Sequence, residues 1–263
     1  MSEDDGSIHL ARPEVGIAVL TMHRKAGPNV IDGTFCGGLL AACESLAQDD
    51  TLHAVLLRSA GPAFCVGADI GKMQAHLDDL PAYLGELIDH AHAAVLALAA
   101  LPVPVIACVR GVAAGGGFSL ALACDSVIAS RSARFVVAYP QLGTSPDTGF
   151  TYSLTSRVGP HRALEICLSS APLDAEQAHR LGIVSELVED GVLDAAGLTA
   201  ARRLATLPRM AVVSAKALIQ GDALPALEER MRREKAWFLR CAGTDAMGDR
   251  IRNFSRRTRA TPD

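Results

Sequence analysis

The chain has 263 residues, enough for one large domain or for one domain with an appendage. Apolar residues make up 49% of it and aromatic residues only 4%, a balance typical of a helix-rich α/β enzyme. A formal net charge of −4 argues against general nucleic-acid binding. The acidic start at 1–6 is unlike a signal peptide, and the apolar run at 91–109 is broken by prolines, so we expect no membrane partner.

Seven cysteines are scattered along the chain. Their number is odd, no Cys-x-x-Cys pair is present, and several lie in apolar runs. This usage predicts reduced, mostly buried thiols and a cytoplasmic protein. We expect no metal site.

The first 110 residues alternate between strand and helix patterns. Near-continuous apolar runs predict strands covered on both faces, and recurrence every three or four residues predicts helices. In chain order the predictions are a hairpin of strands at 8–10 and 15–21, a helix at 34–47, a strand at 54–59, a loop at 61–69, a helix at 80–98 and a strand at 105–109.

A glycine-rich turn at 111–117 then opens the next helix. Consecutive glycines let the backbone turn sharply and let another molecule approach its N–H groups. Strands are predicted at 125–130, 133–137 and 183–188, and the chain from 148 onward is otherwise mostly helical. We therefore divide the chain into a core at 1–200 and a helical oligomerisation tail at 201–263.

Five segments follow one another in a recognisable order: RKAGPN at 24–29, AFCVGADI at 63–70, the glycine-rich block at 111–125, LGTSPDTG at 142–149 and RVGPHRA at 157–163. Together they resemble the crotonase family, which includes the enoyl-CoA hydratases and isomerases, over essentially the whole chain. The resemblance implies an α/β fold, a crotonase-like spiral of ββα units with a C-terminal helical trimerisation region. It also implies acyl-CoA thioester substrates and a homotrimer or hexamer.

The resemblance further implies a backbone oxyanion hole made by the N–H groups of Ala68 and Gly116. In relatives, two such donors bind the thioester oxygen as it becomes an enolate or a tetrahedral oxyanion. Each of the two residues lies in a turn where a helix can begin, so each is expected to have a free N–H. Preorganised donors of this kind are worth roughly 3–4 kcal/mol each in a dry site.

Hydratases of the family use two glutamates, and the register places Ser119 and Tyr139 at those positions. A pair of carboxylates positions water and delivers the α-proton, two tasks that serine and tyrosine do not both perform. The resemblance therefore implies chemistry other than simple hydration. Tyr139 either lines the acyl pocket, donates its hydroxyl, or packs in the core.

The remaining carboxylate is Asp147, just before the helix predicted from 148. In relatives an aspartate here either moves protons, as in ring-epoxide and double-bond isomerases, or acts as a nucleophile, as in the chlorobenzoyl-CoA dehalogenase-like branch. The alternative is an N-cap for the helix. His92 falls where the dehalogenase-like branch has its general-base histidine, and the alternative for it is a packed helix residue.

Eight residues are expected to bind the CoA portion of the substrate. Arg24 and Lys25 form a basic loop that lies near the nucleotide in relatives, and Phe254 and Arg257 resemble family residues that reach a neighbouring subunit's CoA. We interpret Asp69 and Asp125 as structural residues that cap a helix or form a salt bridge. The full set is Arg24, Lys25, Ala26, Ala68, Asp69, Ile70, Phe254 and Arg257.

Four functional hypotheses remain open at this point. The first is an acyl-CoA isomerase with Asp147 as the proton carrier. The second is a thioester hydrolase or dehalogenase-type enzyme that uses Asp147 and His92. The others are an atypical enoyl-CoA hydratase and a non-catalytic acyl-CoA-binding scaffold. In each, CoA is part of the substrate and no tightly bound cofactor is expected.

Overall fold

The structure, a computed structural model, describes residues 8–169 and 171–254. Its strands are β1 (Ile8–Glu14), β2 (Ile17–Met22), β3 (Ala54–Ser59), β4 (Val105–Val109), β5 (Val112–Ala114), β6 (Ser126–Ser130), β7 (Arg134–Val136), β8 (Leu173–Asp174) and β9 (Glu186–Val188). Its helices are α1 (Gly33–Ala47), α2 (Ile70–Ala75), α3 (Leu80–Ala99), α4 (Gly116–Ala123), α5 (Tyr139–Leu142), α6 (Phe150–Ser169), α7 (Ala175–Arg180), α8 (Leu193–Ala205), α9 (Arg209–Gln220), α10 (Ala223–Ala242) and α11 (Asp245–Arg252). Within these ranges no helix has both the length and the apolar character needed to cross a bilayer.

The strands form two sheets. The larger has the order β1-β2-β3-β4-β6-β9, with β1 antiparallel to β2 and the remaining neighbours parallel. The smaller has the order β5-β7-β8, in which β5 and β7 are parallel. Parallel neighbours require a crossover between strands, and helices supply most of these connections. The predicted α/β class is confirmed.

Both faces of the larger sheet are covered, which explains why its strands are continuous apolar runs. Successive side chains of a strand point to opposite faces. In β3, Val55 and Leu57 pack with α1 and α3, whereas Ala54 and Leu56 pack with α8. On the α8 side, a Cβ at Gly197 would lie 2.4 Å from the sulfur of Cys108. The glycine therefore permits the close approach of α8 to β4.

Several short elements differ from the sequence predictions. The helices α2 and α5 and the strand β5 span three to six residues each, too few for a periodic pattern to stand out. The strand predicted at 183–188 begins only at Glu186, because the N–H groups of Ile183 and Val184 both donate to the carbonyl of Ala178 at the end of α7. Residue 200 lies inside α8, and the division into core and tail stays a prediction.

The helix α4 is held at its end by a half-buried arginine. The Arg157 guanidinium donates to the carbonyls of Leu122 and Cys124, at 2.5 and 2.6 Å. The last carbonyls of a helix have no partner within it, so this contact satisfies two of them. Arg157 thereby fixes α4, whose other end carries Gly116.

All seven cysteines are free thiols, and five of them are buried. Burial raises the pKa of the thiols of Cys36, Cys43, Cys65 and Cys108 to about 12. Because the thiolate is the reactive form, a disulfide reagent at pH 8 should label the folded protein at no more than Cys167 and Cys241. In urea the same reagent should label all seven. Mass spectrometry of the digested protein would check this, and fast labelling of Cys65 in the folded protein would contradict it.

Candidate active site

A cavity of about 350 Å³ opens beside the N-terminus of α4. Ala68, Gly116, Tyr139 and Asp147 all line it. The rest of its wall is mainly apolar and comes from three helices, which contribute Met73, Leu84, Leu87, Ile88, Ala91 and Phe238. The arrangement suits a ligand with an apolar body and one polar group near the α4 end.

Two backbone turns carry Ala68 and Gly116, and they are packed directly against each other. The Ala114 N–H donates to the Cys65 carbonyl at 2.9 Å. Gly67 has φ +88°, and a Cβ there would lie 2.9 Å from the Ala114 oxygen. A Cβ at Gly117 would lie 2.0 Å from the Cys65 oxygen. The glycines are therefore required by close approach, and the contact locks the two turns side by side.

The N–H groups of Ala68 and Gly116 are available to a ligand. Gly116 is the first residue of α4, where a backbone N–H has no partner in its own helix. No backbone carbonyl of the described residues accepts from the N–H of either residue. The helix N-terminus also carries partial positive charge. An oxygen that gains negative charge would be stabilised beside such groups, and the oxyanion hole at Ala68 and Gly116 stays a prediction.

Asp147 contacts His92 directly, with 2.8 Å between Oδ1 and Nε2. The side chain of Asp147 is 5% exposed and that of His92 is 12% exposed. His92 lies on α3 beside the buried Ile88 and Val95, whereas His90 is exposed. The fold thus brings together the two side chains that the sequence singled out. Asp147 lines the cavity together with Ala68 and Gly116, whereas His92 lies behind Asp147 and is not part of the lining.

The carboxylate of Asp147 does not cap α6. In the described part of the chain, its side-chain partners are His92 and, at 3.5 Å, the hydroxyl of Thr148. The cap comes instead from Glu234 on α10, which accepts from the N–H groups of Gly149 and Thr151. Asp147 is therefore free to face the cavity.

Ser119 and Tyr139 lie together, with 2.8 Å between their hydroxyl oxygens. Both hydroxyls are also within hydrogen-bond distance of the Asp147 carbonyl oxygen, at 3.1 and 3.0 Å. Burial raises the pKa of Tyr139 well above its usual value, so its phenol remains a proton donor. The hydroxyls of Ser119 and Tyr139 therefore fix the backbone carbonyl of Asp147.

Most of the residues expected to bind CoA surround a second cavity of about 340 Å³, which shares Ala68, Ile70 and Phe254 with the first. Arg24, Ala26 and Asp69 complete this part of its lining. Lys25 is exposed and does not line it, and Arg257 lies outside the described residues.

Asp69 and Asp125 both have structural contacts. Asp69 pairs with Arg24 at 3.0 Å and caps α2 by accepting from the Lys72 N–H. Asp125 accepts from the Val105 N–H and from the Lys216 ammonium, both at 2.7 Å. The backbone N–H of Lys72 contacts Asp69, but its side-chain ammonium pairs with Asp32 at 2.9 Å. Of these ion pairs, the one between Arg24 and Asp69 joins two residues that line the second cavity.

The helix α10 contributes to the site in two ways that the sequence did not predict: its Glu234 caps α6 and its Phe238 lines the cavity. A signal was present. The positions 227, 231, 234 and 238 form one apolar stripe at helical spacing, and Glu234 is a carboxylate within it. Glutamate is almost never buried without a partner, so a buried stripe containing one indicates a specific contact.

The chain is similar to known proteins over most of its length. A family model described as enoyl-CoA hydratase/isomerase matches residues 12–258. The chain is 35% identical over 238 residues to a 1,2-epoxyphenylacetyl-CoA isomerase from Escherichia coli (strain K12), with 90% of each chain covered. It is 34% identical over 236 residues to a probable enoyl-CoA hydratase from Rhodobacter capsulatus, covering 87% of this chain and 90% of the relative.

Solved structures share the fold. The crystal structure of an enoyl-CoA hydratase from Mycobacterium avium subsp. paratuberculosis K-10 matches with a TM-score of 0.85 at 28% identity, covering 96% of this chain and 97% of that one. An enoyl-CoA hydratase from Bacillus halodurans, 24% identical, matches in fold with a TM-score of 0.88 and covers 93% and 98%. The predicted crotonase-like fold is confirmed, and the chain belongs to the enoyl-CoA hydratase/isomerase family.

Proposed function

We propose that this acyl-CoA enzyme is an isomerase that moves a proton with Asp147. The Asp147 carboxylate takes a proton from the carbon beside the thioester carbonyl, and the electron pair moves onto the thioester oxygen. The N–H groups of Ala68 and Gly116 stabilise that oxygen. The proton on Asp147 exchanges with solvent, and Asp147 then delivers a proton to another carbon of the acyl group, so that the reaction in heavy water leaves deuterium there. CoA enters as part of the substrate, and no tightly bound cofactor takes part.

One observation carries the proposal: Asp147 lines the same cavity as Ala68 and Gly116, whereas Ser119 and Tyr139 supply no carboxylate. A general base has to reach the proton that it removes, and only then does its pKa matter. The hydrogen bond from His92 orients the carboxylate. The relative named 1,2-epoxyphenylacetyl-CoA isomerase supports the isomerase class, although other relatives have hydratase names.

The second cavity is the proposed place for the CoA portion. Its lining includes Arg24, which suits a phosphate because arginine offers several donors in a fixed fork. Assembly into a homotrimer or hexamer belongs to the proposal as well.

A second candidate function is thioester hydrolysis, favoured by the 2.8 Å contact between His92 and Asp147. Here the Asp147 carboxylate attacks the thioester carbonyl, CoA leaves as the thiol, and a mixed anhydride forms on Asp147. His92 would then activate water to hydrolyse the anhydride and regenerate the carboxylate. His92→Gln would trap the anhydride, which raises the protein mass by that of the acyl group.

The deciding experiment incubates the protein with a panel of enoyl-CoA and aryl-CoA thioesters in heavy water. Isomerisation gives deuterium gain in the thioester without the mass of added water. Hydrolysis gives free thiol, and hydration gives the mass of added heavy water. Hydration at a rate ordinary for a hydratase would contradict the proposal, and binding without any turnover would favour the scaffold hypothesis.

The substitution Tyr139→Phe tests whether the phenol only holds the Asp147 backbone or takes part in the proton transfer itself. The variant loses a hydroxyl that donates to the Asp147 carbonyl, but Ser119 retains its own donation. We expect a loss of about 1 kcal/mol in the free energy of unfolding, measured in urea. If the lost hydrogen bond also raises the activation free energy by about 1 kcal/mol, the exchange rate falls by less than about tenfold. Tyr152→Phe, in a tyrosine outside this network, is the matched control. Complete loss of exchange in Tyr139→Phe would instead make the phenol the acid or base.

A further inference from the structure

Glu234 is a buried carboxylate that the proposed reaction does not use. It lies on α10 and is 5% exposed. Its Oε2 accepts from the Gly149 N–H at 2.7 Å, and its Oε1 accepts from both the N–H and the hydroxyl of Thr151, at 2.8 and 2.5 Å. Burying a carboxylate is costly unless it is hydrogen-bonded, and three donors compensate this one.

The contact lies at the start of α6, directly after Asp147. Gly149 and Thr151 flank Phe150, the first residue of α6, where N–H groups lack partners in their own helix. A helix is ordinarily capped by a side chain just before it. Here the cap comes from another helix, 83 and 85 residues further along the chain. Capping from a distance leaves the carboxylate of Asp147 free for His92 and the cavity.

The turn that Glu234 holds is strained. Thr148 has φ +63°, the left-handed region that a β-branched residue rarely adopts. Such a conformation costs roughly 1–3 kcal/mol and persists only where its surroundings impose it. On one side of Thr148, the hydroxyls of Ser119 and Tyr139 hold the Asp147 carbonyl. On the other side, Glu234 holds the Gly149 N–H.

The helix α10 also packs closely on this turn. A Cβ at Gly149 would lie 2.7 Å from Leu227 Cδ1 and 3.5 Å from Met231 Cγ. One turn of α10 beyond Glu234, Phe238 lines the cavity. The same helix therefore forms part of the cavity wall and fixes the backbone that carries Asp147.

We infer that Glu234 is a positioning residue, which directs the Asp147 carboxylate toward the substrate by holding the strained turn at Thr148 from α10. The inference rests on the proposed function of Asp147. Without Glu234 the turn can relax, and the carboxylate moves away from the proton that it must remove. A misplacement of about 1 Å lowers a rate by up to roughly 100-fold.

Glu234→Gln tests the inference, because the amide keeps the size of the side chain but offers only one acceptor oxygen to three donors. In heavy water we expect kcat for deuterium exchange to fall roughly tenfold to 100-fold, with KM within about twofold of the unaltered protein. Glu228→Gln, an exposed glutamate on the same helix, is the matched control and should behave like the unaltered protein. Glu234→Asp, which keeps the charge on a shorter side chain, should restore part of kcat.

A purely structural role predicts a different result: a lower free energy of unfolding with kcat per folded molecule unchanged. That result in Glu234→Gln would overturn the inference. If Glu234→Gln does not fold, Thr151→Val replaces it as the test. Thr151→Val removes the hydroxyl that donates to Glu234, and the inference requires that this variant also lowers kcat without changing KM. Asp147→Asn is measured in parallel. If it retains exchange, the proposed function fails and the inference with it; if only Glu234→Gln retains exchange, the inference alone fails.

Discussion

Asp147→Asn should lower the rate of deuterium exchange into a suitable acyl-CoA thioester by roughly 10²–10⁴-fold, the usual contribution of a positioned general base. Asparagine has the same shape and can still hydrogen-bond to His92, but it cannot take up the proton. Binding should change little, because the apolar walls of the cavity and the N–H groups of Ala68 and Gly116 remain. The measurement is kcat and KM in heavy water, with the fold checked by circular dichroism.

The matched control is Asp50→Asn, since the side chain of Asp50 is fully exposed. It should leave both kcat and KM unchanged. Exchange by Asp147→Asn within about threefold of the unaltered protein would mean that another group removes the proton. The assignment of Asp147 as the proton carrier would then be wrong.

Gly117→Ala should damage both the fold and the oxyanion hole. The added Cβ would lie 2.0 Å from the Cys65 oxygen and 2.6 Å from the Cys65 carbonyl carbon, and backbone atoms cannot yield as a flexible side chain does. The two turns that carry Ala68 and Gly116 must separate. We expect a loss of roughly 1–3 kcal/mol in the free energy of unfolding from overpacking. Misalignment of one donor should lower kcat by roughly 10²–10³-fold.

Two other glycines give graded controls. At Gly116 the added Cβ would meet only the far end of the Ile31 side chain, at 2.7 Å, so Gly116→Ala should cost less than Gly117→Ala. At Gly37, an exposed position of α1, a Cβ has nothing within 4 Å. Gly37→Ala should raise the free energy of unfolding by about 0.5–1 kcal/mol, because alanine favours a helix interior. Equal behaviour of Gly117→Ala and Gly37→Ala in urea would refute the close-approach argument.

The sequence predicted the larger sheet well, because strands covered on both faces leave continuous apolar runs such as 54–59 and 105–109. The glycine-rich turn at 111–117 was also predicted, but as a place for another molecule to approach. The contact of Gly117 with the Cys65 backbone, and that of Gly67 with the Ala114 oxygen, were not predicted, because they depend on how two turns pack in the fold. Elements of a few residues, such as α5, were not predictable, because tertiary contacts rather than periodicity decide them.

The side chains of the site were predicted individually but not their partners. Family register pointed to Asp147 and His92, yet their contact depends on how α3 packs beside the turn before α6. The role of Glu234 depends on a contact between residues far apart in sequence, which no local pattern reports. The one local indication of this role was a carboxylate within an apolar stripe of α10.

The reliance of Asp147 on α10 has a consequence for the chain as it leaves the ribosome. Domains tend to fold from the N-terminus as synthesis proceeds. The strand β5 and the helix α4, which lie beside Ala68, are complete by residue 123, whereas the turn at Thr148 has no cap until residue 234 follows. If Asp147 acts as proposed, its alignment is therefore completed late in the synthesis of the chain.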